Sequence, residues 1–512
     1  MSQLARELDQ AGVVRLAELL ALRLTRGDFV GLSGDLGAGK TTLARALIGA
    51  LSGEENAEVP SPTFALQHVY DTRRLTITHC DCYRLGGEEA RELGLEEAAE
   101  RGAVIVEWPE RAGGLPAGSR YEIELAEAAD PARRRVSMRG IGAASAQVAR
   151  IEQIMAFLDR QPLWQDARIA YLQGDASRRS YARLTRGSAS ALLMDAPRQP
   201  DGPPIRDGKS YSRIARLADE DMARAFMAVG AALSGAGLST PATLAFDLER
   251  GLLLVEDLGD RGFAAELAGG RTAHRELLRA AVDALIVLRS VPLPAHLPLA
   301  DGTSYVLPRR DRAAFEIECE LLLDWYWPAV KGAPAPAHVR EEFRALIGPL
   351  LERLLALPGG WFLRDYHSPN LIWLPDRVGH QRVGILDFQD ALNEHFAFDL
   401  ASLLQDARVD VDGALEEEMF GYYCAQIAAR EADFDRAQFA RAYTDFAAQR
   451  NTRLLGLWAR LKMRDGKQGY LQHIPRTWGY LARNLTDPCL AALAAWYEEY
   501  FPPGQRMVTL PG

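Results

Sequence analysis

Gly34-Asp35-Leu36-Gly37-Ala38-Gly39-Lys40-Thr41-Thr42 follows a short apolar run, Phe29 to Ser33, and leads into the helical spacing of Thr41 to Leu51. A strand, a glycine loop closed by Lys-Thr and a helix form a cradle for phosphate. The glycines let backbone N–H groups curl around phosphate oxygens, and the helix N-terminus adds positive potential. Lys40 is placed to reach the β- and γ-phosphates, and the Thr41 hydroxyl to ligate Mg²⁺. Lysine is otherwise confined to Lys209, Lys331, Lys462 and Lys467, so a lysine at this point of the loop is not incidental. The first part of the chain is therefore expected to be an α/β P-loop NTPase domain that takes ATP with Mg²⁺.

A second phosphate-handling stretch lies far downstream. Leu363-Arg364-Asp365-Tyr366-His367-Ser368-Pro369-Asn370 is followed by Ile385-Leu386-Asp387-Phe388. Phosphoryl transfer needs a base near the acceptor hydroxyl and metal ligands beside the phosphates. Asp365 stands at the position of the base, and Asn370 and Asp387 at those of the metal ligands. Strand-like Leu371 to Trp373 and Val383 to Leu386 can return the chain so that the three converge. Two unrelated ATP sites on one polypeptide imply a fusion.

The bulk composition agrees. A chain of 512 residues holds two or three domains, and 48% hydrophobic with 25% charged residues is ordinary for globular cores. A net charge of −10 argues against capture of nucleic acid by bulk electrostatics. Cys80, Cys82, Cys319, Cys424 and Cys489 form an odd, scattered set that reads as reduced thiols. The N-terminus lacks a signal-peptide layout and no run is apolar enough to span a bilayer, so the cytoplasm is the expected location, with no membrane role.

Along the chain, Leu4 to Leu24 has helical apolar spacing. Phe64 to Tyr70, Leu75 to Cys80, Val104 to Val106, Tyr121 to Leu125 and Arg135 to Met138 read as strands. Gly140 to Ala146 is small and polar, which places a linker at 139–150 between a domain at 1–138 and a second at 151–512. The second begins with strand-like Ala167 to Gln173, Tyr181 to Thr185, Ala191 to Asp195 and Gly251 to Glu256. Helical patterning follows from about Gly259. A β-lobe at about 151–258 and a helical lobe at about 259–512 make an α+β bilobal, protein-kinase-like domain.

Val59-Pro60-Ser61-Pro62-Thr63-Phe64, His79-Cys80-Asp81-Cys82-Tyr83-Arg84-Leu85 and Val106-Glu107-Trp108-Pro109-Glu110 follow the glycine loop in order. Together with it they resemble the TsaE family, the bacterial ATPase subunit of the tRNA threonylcarbamoyladenosine machinery, over about Leu4 to Met138. The resemblance implies that Glu107 is the Mg²⁺-associated acid, Asp81 a second acid near the nucleotide and Trp108 the aromatic beside the site. Without it, the same residues read as a solvated strand-end acid, a turn aspartate and a rim tryptophan. Thr63 is either a nucleotide sensor or part of an ordinary turn. The family's partners are TsaD-like and TsaB-like subunits, which implies that tRNA is met only indirectly.

The downstream segment resembles the aminoglycoside phosphotransferase family, which includes choline and sugar kinases. Asp365, Asn370, Asp387, His367 and Pro369 carry the likeness. Asp399, in Phe398-Asp399-Leu400-Ala401, either braces the catalytic loop or caps a helix. Gly174-Asp175-Ala176-Ser177-Arg178-Arg179, Leu193-Met194-Asp195-Ala196-Pro197, Leu254-Val255-Glu256-Asp257-Leu258-Gly259 and Asp387-Phe388-Gln389-Asp390-Ala391 resemble the cell-wall amino-sugar 1-kinases over roughly Ile151 to Trp496. Those phosphorylate the anomeric hydroxyl of N-acetylmuramate and N-acetylglucosamine. The likeness implies that Asp175 and Ser177 cover the phosphates and that Glu256 to Leu258 form the adenine hinge. Two positions depart from the pattern. Leu363 replaces a histidine, and Met194 stands where many kinases have a phosphate-pairing lysine, leaving Arg178, Arg179 or Arg183 to supply the charge. Trp325, Tyr326 and Trp327 either stack on a sugar, cage a quaternary ammonium or fill the core. Choline-like or aminoglycoside acceptors, a non-catalytic regulatory kinase-like domain, and an NTP-binding first domain that only regulates the kinase remain as alternatives.

Overall fold

The computed structural model describes residues 2–53, 59–62, 66–86, 89, 92–172, 179–270 and 272–508. Two compact units divide the chain: Met1–Pro197 with Thr243–Asp257, and Arg198–Ala242 with Leu258–Gly512.

The first unit holds two sheets. Strands β1 (Ser2–Asp9), β2 (Phe29–Ser33), β3 (Gln67–Asp71), β4 (Thr76–Asp81), β5 (Ala103–Glu107), β6 (Arg120–Glu127) and β7 (Arg133–Ile141) form a seven-stranded sheet in the order β1-β7-β6-β2-β5-β4-β3. β2 pairs in parallel with β5 and β6, and β4 in parallel with β5. All five residues of β5 are buried, as a parallel strand covered on both faces requires. Helix α1 (Gln10–Ala21) follows β1, and α2 (Lys40–Ser52) follows the glycine loop.

Leu4 to Leu24 is thus not one helix. Leu4 and Leu8 are four apart, a spacing that puts them on one face of a strand as well as of a helix. Asp9 resets the chain: its carboxylate accepts the Gly12 N–H at 2.8 Å and caps α1. Ahead of that cap, Ser2–Asp9 pairs residue for residue with β7.

The stretch expected as a linker at 139–150 is also ordered. β7 continues to Ile141, and helix α4 (Ala144–Leu158) begins three residues later, after α3 (Leu95–Ala99) has crossed earlier in the chain. Gly140 is small because a Cβ there would sit 2.4 Å from the Ala144 carbonyl oxygen. The small residues make a tight strand-to-helix turn rather than a tether.

The second sheet runs β13-β14-β10-β9-β8, built from β8 (Arg168–Leu172), β9 (Ser180–Arg186), β10 (Ala189–Asp195), β13 (Thr243–Asp247) and β14 (Leu252–Glu256); the short hairpin β11–β12 (Pro204–Arg206, Lys209–Ser210) belongs to the other unit. One continuous core joins the two sheets. It contains Leu16, Leu19 and Leu20 of α1, Leu43 and Leu47 of α2, Ile151, Ile154 and Phe157 of α4, and Ile169, Leu184, Leu193 and Leu254 of the second sheet.

Buried charges tie the same elements. The Glu18 carboxylate of α1 accepts the backbone N–H of Ile169 at 2.9 Å and the guanidinium of Arg168. Asp195, at the end of β10, is gripped by Arg150 at 3.0 and 2.6 Å and by Arg23. Removing one partner of a buried pair strands the other charges. Asp195→Ala is therefore expected to destabilise the first unit by about 3 kcal/mol, read as a lower urea midpoint at unchanged slope.

The second unit is mainly helical. Its axis is the thirty-residue helix Arg436–Asp465, which packs against Arg312–Leu321, the π-turn Leu322–Tyr326, Ala397–Leu404 and Ile474–Asn484. Gly456 lies so close to this turn that a Cβ would stand 2.2 Å from the Leu321 carbonyl carbon. Two short antiparallel pairs, Trp361–Phe362 with Leu392–Asn393 and Leu371–Trp373 with Val383–Ile385, frame the downstream motif. Among the described residues no helix is long and apolar enough to cross a membrane.

Candidate functional site

In the first unit the loop after β2 turns through Gly34 at φ 132° and Gly39 at φ 106°. At Gly34 a Cβ would lie 2.1 Å from the Leu125 carbonyl oxygen, so no larger residue fits this bend. Leu36 at the tip is exposed, Ala38 is buried, and Gly37 completes the turn before Lys40 opens α2. The Lys40 ammonium donates to the carbonyls of Gly34 at 2.8 Å and Asp35 at 2.9 Å, and sits 3.5 Å from the ring centroid of Trp108. Burial pushes its pKa down, against the pull of Glu107, Glu110, Asp81 and Asp35.

Parallel pairing of β4 and β5 sets Asp81 directly beside Glu107. Glu107 is buried, and its Oε2 accepts the Thr41 hydroxyl at 2.9 Å. Asp81 accepts the Ser61 hydroxyl at 3.1 Å and the Tyr83 N–H at 2.9 Å. Trp108 takes a left-handed φ of 61° and packs on Tyr83 with centroids 5.0 Å apart. Thr42 is half-buried one position further along α2. Thr63 lies outside the described residues.

A hydroxyl, two carboxylates and one lysine thus gather at the mouth of the glycine loop, a donor set that suits Mg²⁺ with a nucleotide. Mg²⁺ is commonly held by one or two carboxylates together with substrate phosphates and water. Among the described residues no group of three or more His, Cys, Asp or Glu able to hold a metal occurs.

A further residue, His79, joins this group through Glu107. The His79 imidazole Nε2 lies 2.9 Å from Glu107 Oε1, and its ring is wholly buried. The period of two along β4, which puts His79 on the face of Asp81, was the available signal.

In the second unit, Asn370 Nδ2 donates to the Asp365 carbonyl at 2.9 Å and reaches Asp387 Oδ2 at 3.3 Å. The strand pair Leu371–Trp373 and Val383–Ile385 brings the two metal-ligand candidates together, and the Leu386 N–H closes the end by donating to the Asn370 carbonyl at 2.9 Å. Gln389 Nε2 donates to Asp387 Oδ1 at 3.0 Å. The Asn370 amide, which carries an oxygen, and the Asp387 carboxylate are donor types that suit Mg²⁺. The Asp365 side chain is 27% exposed, and His367 Nε2 is 3.9 Å from its Oδ1. Burial pushes the His367 pKa down to about 4, so this imidazole is uncharged at neutral pH.

Asp399 braces the loop. Its two oxygens accept the N–H groups of Leu363 at 2.6 Å and Arg364 at 3.0 Å. It begins no helix, since it sits inside Ala397–Leu404. Leu363, substituted for histidine, is therefore still held through its backbone. Arg364 takes φ 72° and is fixed by the Ala215 carbonyl at 3.0 Å and Glu318 at 2.7 Å. Glu318 is fully buried; burial alone would raise its pKa, but Arg310, Arg453 and Arg364 hold it down at about 2.

The remaining expectations divide. Asp175, Ser177 and Arg178 lie outside the described residues. Glu256 ends β14 in the first unit; Leu258, in the second, packs so near Gly384 that a Cβ there would be 2.9 Å from its Cδ1. Met194 is buried in β10, and Arg183 pairs with Asp257 at 2.7 Å. Lys209 is exposed on β12 of the second unit. Tyr326 and Trp327 settle as core: Trp478 Nε1 donates to the Tyr326 hydroxyl at 2.7 Å, and both rings pack on Phe501.

Comparison with known proteins assigns both parts. Residues 8–136 match the family described as threonylcarbamoyl adenosine biosynthesis protein TsaE, and residues 168–440, more than half the chain, match the phosphotransferase enzyme family. The N-acetylmuramate/N-acetylglucosamine kinase of Caulobacter vibrioides is 39% identical over 345 residues, covering 66% of this chain and 93% of that protein. The protein of the same name in Pseudomonas aeruginosa is 32% identical over 312 residues, covering 60% and 80%. The tRNA threonylcarbamoyladenosine biosynthesis protein TsaE of Rickettsia conorii is 43% identical over 125 residues, covering 24% and 70%. The chain belongs to the phosphotransferase enzyme family and carries, ahead of that portion, a TsaE-family ATPase domain.

Proposed function

We propose that the protein is bifunctional. Its first domain, 1–138, hydrolyses ATP with Mg²⁺ in support of tRNA N6-threonylcarbamoyladenosine formation, working with TsaD-like and TsaB-like subunits that hold the tRNA. Lys40 binds the outer phosphates, Thr41 and Glu107 serve Mg²⁺, Asp81 supports that shell, and Trp108 lies beside the nucleotide. Its second domain, 151–512, transfers the γ-phosphoryl of ATP to the anomeric hydroxyl of an amino sugar, N-acetylmuramate or N-acetylglucosamine, in cell-wall recycling. Asp365 accepts the hydroxyl proton, Asn370 and Asp387 hold Mg²⁺, and Glu256 to Leu258 bind adenine. Both reactions belong in the cytoplasm.

The observation that carries the kinase reading is the meeting of Asn370 with Asp387 and with the Asp365 backbone, in a chain that over 345 residues is 39% identical to an N-acetylmuramate/N-acetylglucosamine kinase. A non-catalytic kinase-like domain draws its support from the buried Met194. The intact Asp365, Asn370 and Asp387 speak for catalysis. For the first domain, the test is rescue of a strain depleted of its own TsaE. Restored threonylcarbamoyladenosine in its tRNA supports the reading, and a well-expressed protein that restores none contradicts it.

A further inference from the structure

His79 is placed to do more than fill the sheet. Its Nε2 contacts Glu107 Oε1 at 2.9 Å while Glu107 Oε2 accepts the Thr41 hydroxyl at 2.9 Å. The ring has no exposure and Glu107 almost none. The other ring nitrogen, Nδ1, has no hydrogen-bond partner among the described residues. A neutral imidazole has one N–H to give. On Nδ1 that proton would be a buried, unanswered donor, and the Nε2 lone pair would face the carboxylate. On Nε2 it makes a charge-assisted bond and leaves only a lone pair unanswered, the cheaper arrangement. The contact therefore fixes the tautomer and, through it, the rotation of the Glu107 carboxyl.

We propose that His79 is a positioning residue of the glycine-loop site, holding Glu107 by one oxygen so that the other is presented to Thr41 and to the Mg²⁺ that Thr41 serves. This rests on the reading of that site as a Mg²⁺-nucleotide site. The side chain meets the site through its contact with Glu107 and acts through that carboxylate. Partners of this kind, one bond removed from a metal, change metal affinity by about 10–100-fold when lost.

The test uses the full chain with Asp387→Ala to silence the second site, and follows equilibrium binding of a fluorescent ATP analogue as Mg²⁺ is titrated. A glutamine amide nitrogen reaches the place of imidazole Nε2, whereas an asparagine amide does not. His79→Asn is expected to raise the half-saturating Mg²⁺ concentration about 10–100-fold, His79→Gln to restore most of it, and neither to alter binding in EDTA. Added to Glu107→Gln, His79→Asn should cost nothing further in the Mg²⁺ response, because its effect passes through that carboxylate. A His79→Asn protein with the parent's Mg²⁺ dependence overturns the proposal. So do equal shifts for Asn and Gln, parallel loss of binding in EDTA, or additivity with Glu107→Gln. If the parent's nucleotide binding ignores Mg²⁺, the reading of the site itself falls, and that outcome is seen before any variant is compared.

Discussion

Replacing Asp365 by asparagine is expected to lower the turnover of sugar phosphorylation by about 10²–10⁴-fold, the range removed with a general base. The change preserves shape. The Asp365 carbonyl, which holds Asn370 at 2.9 Å, is untouched. The loop stays braced by Asp399 on Leu363 and Arg364. The lost element is the oxygen that takes the acceptor proton. His367 Nε2 lies 3.9 Å from the Asp365 carboxylate and so does not stand in the place of the lost oxygen. Sugar and ATP binding should change little, so the loss falls on kcat rather than KM. Retention of activity within about tenfold would remove Asp365 from the role of base.

Lys40→Ala is expected to weaken nucleotide binding at the first site on the order of 10³-fold. Two charge-assisted bonds to phosphate, each worth about 1.5–3 kcal/mol, are lost together. In the free protein the same ammonium is parked on the carbonyls of Gly34 and Asp35 and over Trp108. Its removal leaves those carbonyls near the loop's open side, so the stability cost is small beside the loss of binding. ATP titration by calorimetry in the Asp387→Ala background reads the effect, and near-normal binding would contradict the assignment.

What could be read from the sequence follows the range of the interactions involved. The glycine loop is legible because its bend is imposed locally: Gly34 and Gly39 need left-handed φ, and Lys40 and Thr41 follow at fixed offsets. The Asp365, Asn370 and Asp387 set was legible for the same reason, since one strand pair joins them. β1 was hidden because the spacing of Leu4 and Leu8 suits two periodicities and only pairing with β7 decides between them. β13 carries little sequence signal because Thr243–Asp247 is largely unburied, so its alternation is weak. The supposed linker was small for packing rather than for flexibility. Partners distant in sequence were invisible: Glu18 with Ile169, Arg364 with Glu318, and His79 with Glu107 meet only once the fold exists. Asp399 stood open between two roles until its carboxylate was seen on the loop's backbone.

The central claim, two separate active sites on one chain, is tested most directly by following transfer of the γ-phosphoryl of labelled ATP to N-acetylmuramate and N-acetylglucosamine by the intact protein, Lys40→Ala and Asp365→Asn. The account predicts a sugar 1-phosphate made by the intact protein and by Lys40→Ala and nearly absent with Asp365→Asn. Product that disappears with Lys40→Ala, or persists undiminished with Asp365→Asn, would contradict it.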